Sequence, residues 1–225
     1  MDILYPLSNQ SEWKDNELRY SLRSLEQIEY DRVFVIGHKP DWLTPNDRLF
    51  HVEHKDTPNR PEFSTMTKIC HICKETDISD DFILMNDDFY FLRPVHDYPY
   101  YFDGTLLQAA RKRAKASSYR VSIDNTIEVF GDAPFFEVHG PIVLNKEMFP
   151  LCMKQVDWTH KDYLKRSLYC NFLDIEGVEM KDVKVEFTKL DFTDEPFFSS
   201  GTRSNYNALG RFLDSMYCEK SVFEV

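Results

Sequence analysis

Glycine is scarce in this chain. Only 7 of its 225 residues are Gly, too few for flexible linkers or a glycine-rich phosphate loop. Neither G-x-G-x-x-G nor G-x-x-x-x-G-K-[ST] occurs, so two common nucleotide-binding fingerprints are absent. No apolar run approaches the ~20 residues that span a bilayer, so no transmembrane segment is expected. The opening Met1-Asp2-Ile3-Leu4-Tyr5 lacks the basic start and apolar stretch of a secretory signal. Positive charge is in deficit. A net charge of -11 disfavours non-specific binding of nucleic acid or anionic membrane by the whole surface. The five cysteines, at 70, 73, 152, 170 and 218, are odd in number. With no secretory signal, the thiols are expected to be reduced and the protein cytoplasmic. Cys70-His71-Ile72-Cys73 has C-x-x-C spacing, but no second pair follows. Two half-buried thiols on a helix are the expectation there.

What is present belongs to a folded domain. Hydrophobic residues make up 42% and charged residues 29%, the balance of an ordinary globular chain. The length suits one domain with a sizeable core. Aromatics reach 15%, with 18 Phe and 12 Tyr, which suits a ring-packed core and flat pocket walls. One basic run, Arg111-Lys112-Arg113-Ala114-Lys115 with Arg120 close behind, stands out. Such runs are mostly solvated helix faces; this one could also meet a phosphate-bearing acceptor.

Periodicity orders the first half. Ile3 to Leu7 is a short strand. Leu18, Leu22, Leu25 and Ile28 recur at helical spacing. Val33 to Gly37 is a buried-strand pattern closed by glycine, and Leu49 to Val52 a further strand. A helix is expected over Glu62 to Glu75, then a strand from Asp81. This alternation is an α/β pattern with a mostly parallel sheet flanked by helices. The second half is less regular. Leu106 to Lys115 reads as helix, and Ser122 to Phe130 fits helix and strand equally. Phe135 to Leu144 reads as strand or close turn, with Asn145 capping a helix through Met153. Lys161 to Leu173 reads as helix, Val183 to Phe187 as strand, Pro196 to Arg203 as loop and Tyr206 to Met216 as a final helix.

The most informative segment runs from Asp80 to Leu92. Phe82-Ile83-Leu84-Met85 leads straight into Asn86-Asp87-Asp88, and Phe89-Tyr90-Phe91-Leu92 follows. Adjacent carboxylates between apolar runs are costly to bury without a positive partner. A divalent cation, Mg²⁺ or Mn²⁺, carrying the diphosphate of a nucleotide-sugar would supply it. An Asp-rich turn is the plainer alternative. Ligands of such sheets bind at the carboxyl ends of the strands, where Pro6, Gly37-His38 and Asn86-Asp87-Asp88 all fall.

These segments resemble the Stealth proteins, which include capsular polysaccharide phosphotransferases and the catalytic part of N-acetylglucosamine-1-phosphotransferase. Asn16 to Leu25 is similar to a first conserved block, a helix with two arginines. Pro61-Glu62-Phe63-Ser64 through His71-Ile72, then Phe82 to Phe89, resembles a second. Val138-His139-Gly140-Pro141 followed by Asn145-Lys146 is similar to a third, with Arg166 near its later basic position. The Trp-Val-Asp that usually follows the first strand is missing, as are the acidic residues of a fourth block near Pro196 to Gly201. The resemblance implies a glycosyltransferase-A-like sheet, a nucleotide-sugar donor and a divalent metal. It implies a single catalytic domain over 1–225, with a nucleotide-sugar and metal half at 1–104 and an acceptor half at 105–225.

The expected roles follow. Asp87 and Asp88 hold metal, and Asp88 is also a candidate base. Arg19 and Arg23 face the phosphates, while Tyr5, Pro6, Gly37, His38 and Asn86 line the donor site. His139 and Arg166 are catalytic candidates. Trp42 is a stacking or loop-anchoring residue, His71 a minor acceptor contact, and Arg203 a loop residue able to close over the donor. The expected reaction is transfer of a sugar-1-phosphate to a glycan hydroxyl. Alternatives are glycosyl transfer and a non-catalytic sugar-nucleotide-binding module. A nucleic-acid acceptor is disfavoured by the acidic total charge.

Overall fold

A computed structural model describes residues 1–115, 117–185, 195–201 and 206–225. Its centre is a five-stranded sheet of β1 (Asp2–Leu7), β2 (Val33–Gly37), β3 (Leu49–Val52), β4 (Asp81–Leu84) and β7 (Ile142–Asn145), in the order β3-β2-β1-β4-β7. The β1–β2, β2–β3 and β1–β4 ladders are parallel and β4–β7 is antiparallel. The mostly parallel α/β sheet expected from the sequence is therefore present.

Strands buried on both faces explain the near-continuous apolar runs. Successive side chains alternate between faces. Ile3, Tyr5, Leu7, Val33, Val35 and Ile83 enter one apolar cluster; Leu4, Phe34, Ile36, Phe82 and Leu84 enter another. Helix α1 (Asn16–Ser24), continued by a 3-10 turn at Leu25–Gln27, covers the first face with Leu18, Leu22 and Leu25. Helix α2 (Pro61–Glu75) covers the second with Met66, Ile69 and Ile72. Each such side chain, fully buried, contributes about 1.5–3 kcal/mol. The first cluster also takes Val138, Met180, Val183 and Phe197, so the second half of the chain packs into the same core.

After β4 the chain turns at Asn86-Asp87-Asp88, the Phe89 N–H donating to the Asn86 carbonyl at 3.3 Å. It then enters a second sheet of β5 (Phe89–Phe91), β9 (Lys184–Val185) and β10 (Phe197–Ser200), ordered β5-β10-β9. The acidic turn thus joins two sheets. A small pair, β6 (Tyr101–Phe102) with β8 (Val178–Glu179), lies apart. The remaining helices are α3 (Leu106–Arg111), α4 (Ser118–Phe130), α5 (Met148–Met153), α6 (Lys165–Phe172) and α7 (Tyr206–Met216). No helix among the described residues is long and apolar enough to cross a membrane.

Several boundaries differ from the sequence reading. Pro196 onward was expected as loop, yet Phe197–Ser200 is a strand inserted between β5 and β9. Ser122 to Phe130 resolves as helix, started by Ser117, whose hydroxyl accepts from the Arg120 N–H. Helix α3 stops at Arg111 and leaves Lys112 to Lys115 outside it, and α6 begins at Lys165 rather than Lys161. The Asn145 side chain accepts from the N–H groups of Glu147 and Met148, both at 3.1 Å, and so leads α5 out of β7. The expected strand beyond Val185, and Arg203, lie outside the described residues.

Candidate active site

The carboxyl ends of β1 and β4 open on a cleft of about 290 Å³, whose walls include Ser8, Gln10, Glu17, Asn86, Asp87 and Asp88. Ser11 organises one wall. Its hydroxyl donates to Glu17 Oε2 at 2.8 Å and accepts from the N–H groups of Trp13 and Asp15 at 3.1 and 2.7 Å. Those bonds hold a turn in which Lys14 and Asp15 both have positive φ, 57° and 58°, a conformation uncommon for non-glycine residues. The turn delivers α1 with Glu17 aimed at the acidic loop. Burial pushes the Glu17 carboxyl up.

Asp88 accepts from the Ser199 hydroxyl of β10 at 2.8 Å through Oδ2, and Lys184 Nζ of β9 stands 3.6 Å from the same oxygen. Its other oxygen, Oδ1, is buried with no hydrogen-bond partner among the described residues. Asp87 is pushed up to about 7, first by burial and then by the charges of Asp88 and Glu17. Four carboxylates, Glu12, Glu17, Asp87 and Asp88, therefore line one cleft, and among the described residues Lys184 is the cation that approaches Asp88. Among the described residues no three His, Cys, Asp or Glu side chains are grouped to hold a metal by themselves. An orphaned carboxylate oxygen and uncompensated negative charge fit a hard cation whose other ligands come from phosphate and water.

The cleft continues along the strand ends. A second cavity of about 370 Å³ reaches Pro6, Thr57, Arg60, Ser64 and Lys68. A third reaches Gly37, His38, His51 and His54. Gly37 has φ +110°, and a Cβ there would lie 2.2 Å from the Leu7 carbonyl oxygen and 2.8 Å from Lys68 Cε. Only glycine allows this close crossing of β1, β2 and α2. The Lys68 ammonium, almost fully buried, donates to the Leu7 carbonyl at 2.6 Å and to Asp56. His38 Nε2 stands 3.3 Å from Asp15 Oδ2. Tyr5 lies beneath the cleft rather than in it. Its hydroxyl meets Ser21 Oγ at 2.9 Å, and Ser21 donates to the Phe89 carbonyl at 2.6 Å. Burial drives the Tyr5 phenol far above its ordinary value, so it acts as a neutral link between β1, α1 and β5.

Arg19 and Arg23 do not face the carboxylates. Arg23 forks onto Glu224 at 2.8 and 2.7 Å and donates to the Tyr217 carbonyl. Arg19 Nε lies 3.4 Å from Glu224, with its guanidinium 4.7 Å above the Trp42 ring. The structure thus places them away from Glu17 on α1: at about 100° per residue Arg19 lies about 200° round the helix from Glu17 and Arg23 about 120°. Trp42 packs as an anchor, and His71 meets His54 edge-on at 5.4 Å.

His139 lies outside the lining of the carboxylate cleft but is tied to it. Its backbone N–H and Nδ1 engage the two oxygens of Asp182 at 3.0 and 2.8 Å. Burial pulls the Asp182 carboxyl up, yet the His139 bonds outweigh it and hold it below the usual carboxylate range. Two residues on, Lys184 approaches Asp88. Gly140 lets the turn sit against β10, since a Cβ would come 2.4 Å from Phe197 Cε2. Arg166 is no solvated helix residue. It is buried and donates to the carbonyls of Val138 and Gly140 at 2.6 and 2.7 Å, clamping the turn on both sides of His139. Burial pushes its guanidinium down.

Glu17, Lys68, Asp182, Lys184 and Ser199 were not singled out in the sequence. Glu17 reads there as an ordinary first-turn helix acid, and the others join the site only through long-range pairing. The C-x-x-C thiols are half-buried, and burial raises Cys70 to about 11 and Cys73 to about 12, the opposite of a reactive pair.

Known proteins resemble parts of this chain in sequence or in fold. The family described as Stealth protein CR2, conserved region 2, matches residues 12–109. That one region takes in both segments assigned above to separate first and second blocks; the likeness at Val138 to Pro141 falls outside it. A capsular polysaccharide phosphotransferase, LcbA of Aeromonas hydrophila, is 33% identical over 89 residues, 36% of this chain and 24% of that protein. The N-acetylglucosamine-1-phosphotransferase subunits alpha/beta of Homo sapiens are 36% identical over 101 residues, 40% of this chain and 8% of that protein. The match thus spans a quarter or less of either relative. A crystal structure of the galactosyltransferase LgtC with donor and acceptor sugar analogs superposes with a TM-score of 0.52 at 12% identity, covering 99% of this chain and 97% of that one. Residues 12–109 are therefore similar to Stealth conserved region 2, and the fold of the chain resembles that of the LgtC structure.

Proposed function

We propose that this chain is a metal-dependent transferase that takes a nucleotide-sugar and moves a sugar-1-phosphate to a hydroxyl of a glycan. The observation that carries this is the concentration of Glu17, from α1, with Asp87 and Asp88 in one cleft, Asp87 pushed up to about 7 and an oxygen of Asp88 without a hydrogen-bond partner among the described residues. A site that stores like charge in this way is built for a cation. The match to Stealth conserved region 2, residues 12–109, takes in this same segment.

Asp87 and Asp88 would hold the metal, with Ser199 and Lys184 fixing the orientation of Asp88. When bound, a divalent ion offsets the negative charge of the donor diphosphate and of the leaving phosphate. The acceptor oxygen attacks the β-phosphorus, the bond from that phosphorus to the bridging oxygen breaks, and the nucleoside monophosphate leaves with the electron pair. The hydroxyl proton passes to His139 Nε2, the ring atom left as acceptor when Nδ1–H donates to Asp182. Arg166 acts on the backbone that presents His139 and on nothing in the substrate.

The test is the nucleotide released from a panel of nucleotide-sugars with Mn²⁺ or Mg²⁺ and a hydroxyl acceptor. Nucleoside monophosphate supports sugar-1-phosphate transfer. Nucleoside diphosphate replaces it with attack at the anomeric carbon, and absence of both overturns the enzyme reading in favour of a binding module.

A further inference from the structure

Arg19 and Arg23 open onto a second groove, of about 500 Å³, between α1 and α7. It lies next to the carboxylate cleft and shares Tyr206 with it. One wall is a ladder of rings. Trp13 stacks on Tyr20 at 5.5 Å and on Tyr206 at 5.2 Å, with interplanar angles of 23° and 16°. Gly210 admits α7 to this ladder, since a Cβ there would sit 3.0 Å from the Trp13 ring.

The groove's charge is opposite to that of the cleft. It carries the guanidinium groups of Arg19, Arg23 and the exposed Arg211. Two carboxylates answer them. Asp214 already accepts from the Tyr20 hydroxyl, and the fork of Glu224 is taken by Arg23. Arg19 reaches Glu224 only as an ion pair at 3.4 Å, and its buried Nε makes no hydrogen bond among the described residues.

We propose that this groove is an acceptor subsite for a carbohydrate bearing an anionic group, a carboxylate or a phosphate. The proposal rests on reading the adjacent cleft as the transfer site. Flat ring faces suit the apolar faces of sugar rings, and guanidinium forks match carboxylate and phosphate oxygens. Adjacent pockets of opposite sign also fix direction. The anion is drawn to the arginines while the acceptor's hydroxyl extends past Tyr206 towards Asp88, and the reverse pose sets like charges together. A nucleic acid is the poorer occupant, because this groove is a small positive patch on a chain of net charge -11.

The test titrates the intact protein with four probes of matched length: a uronic-acid oligosaccharide, a phosphorylated oligosaccharide, their neutral counterpart and a single-stranded oligonucleotide. One acidic glycan should bind, the neutral one should bind at least tenfold more weakly, and Arg211→Gln should weaken the acidic glycan by about tenfold, the loss of one charge-assisted bond. In turnover the same variant should raise the acceptor KM and leave the donor KM alone. Arg211 is exposed, so its replacement does not threaten the fold; Tyr206→Leu is the second variant and should weaken every bound glycan. Whichever acidic glycan binds identifies the anion. Equal binding of the neutral glycan, wild-type affinity in Arg211→Gln, or tighter binding of the oligonucleotide would each overturn the proposal. Arginine-dependent glycan binding without any nucleotide-sugar binding would instead remove the transferase reading and leave the groove standing.

Discussion

Asp87 shows how a single residue couples stability to chemistry. Its carboxyl is raised to about 7 by burial and by Asp88 and Glu17. A carboxyl raised in the folded state subtracts stability once it ionises, so this deficit grows as pH rises from about 4 to about 7 and is complete above that. Asp87→Asn should therefore raise the unfolding midpoint of the metal-free protein at pH 8 by ~2–4 °C, the shift that about 1 kcal/mol gives a domain of this size. Below about pH 4 the difference should vanish. Calorimetry across pH checks it; an unchanged or lowered midpoint at pH 8 contradicts the charge accumulation. His139 and Asp182 make a second case at this scale. If Asp182 fixes the tautomer of the ring, Asp182→Asn and His139→Ala should each lower turnover by ~10²–10⁴ while circular dichroism stays native. Glu224 has the opposite sign. Burial alone would raise it, but the Arg23 fork and the Ser221 N–H outweigh burial and hold it below the ordinary range. Its contribution is present at neutral pH and is lost as pH falls through that lowered value. Glu224→Gln should thus cost stability at pH 7 and be neutral in strong acid.

At the scale of elements, α1 presents opposite charges on two faces. Glu17 and Ser21 point into the cleft and its floor, while Arg19 and Arg23 point to Glu224 and the second groove. The sequence marked the helix correctly through Leu18, Leu22 and Leu25, but periodicity fixes only which side is apolar. It does not say what the polar flanks meet, which is why the arginines were expected at the phosphates and Glu17 was passed over. Strand β10 was illegible for a related reason. Phe197-Phe198-Ser199-Ser200 follows a proline and ends in Ser-Ser-Gly, a local turn signature; pairing with β5 and β9 overrides it. The C-terminal end of β2 was legible because glycine has a specific cause there. Gly37→Ala would force a Cβ against the Leu7 carbonyl at a left-handed φ. It should destabilise by more than about 1 kcal/mol, with the loss seen as a lower denaturant midpoint at unchanged slope.

At the scale of the molecule, strand order and chemistry converge. The parallel strands deliver their carboxyl ends to one edge, where the acidic turn, Gly37 and the Lys68 knot border connected cavities. The sheet was readable because buried parallel strands write themselves as apolar runs; the partners of His139 and Arg166, Asp182 among them, were not, since long-range pairing decides whether each side chain is bound, buried or exposed. An acidic cleft in an acidic chain should repel a free nucleotide-sugar, a repulsion that the proposed cation would offset. The most direct measurement is calorimetric titration of a nucleotide-sugar into wild type and Asp87→Asn/Asp88→Asn, with and without Mn²⁺. The predicted result is binding to wild type only with Mn²⁺ and none to the doubly substituted protein in either condition. Equal, metal-independent binding to both proteins would contradict the assignment of the acidic turn as the metal-diphosphate site.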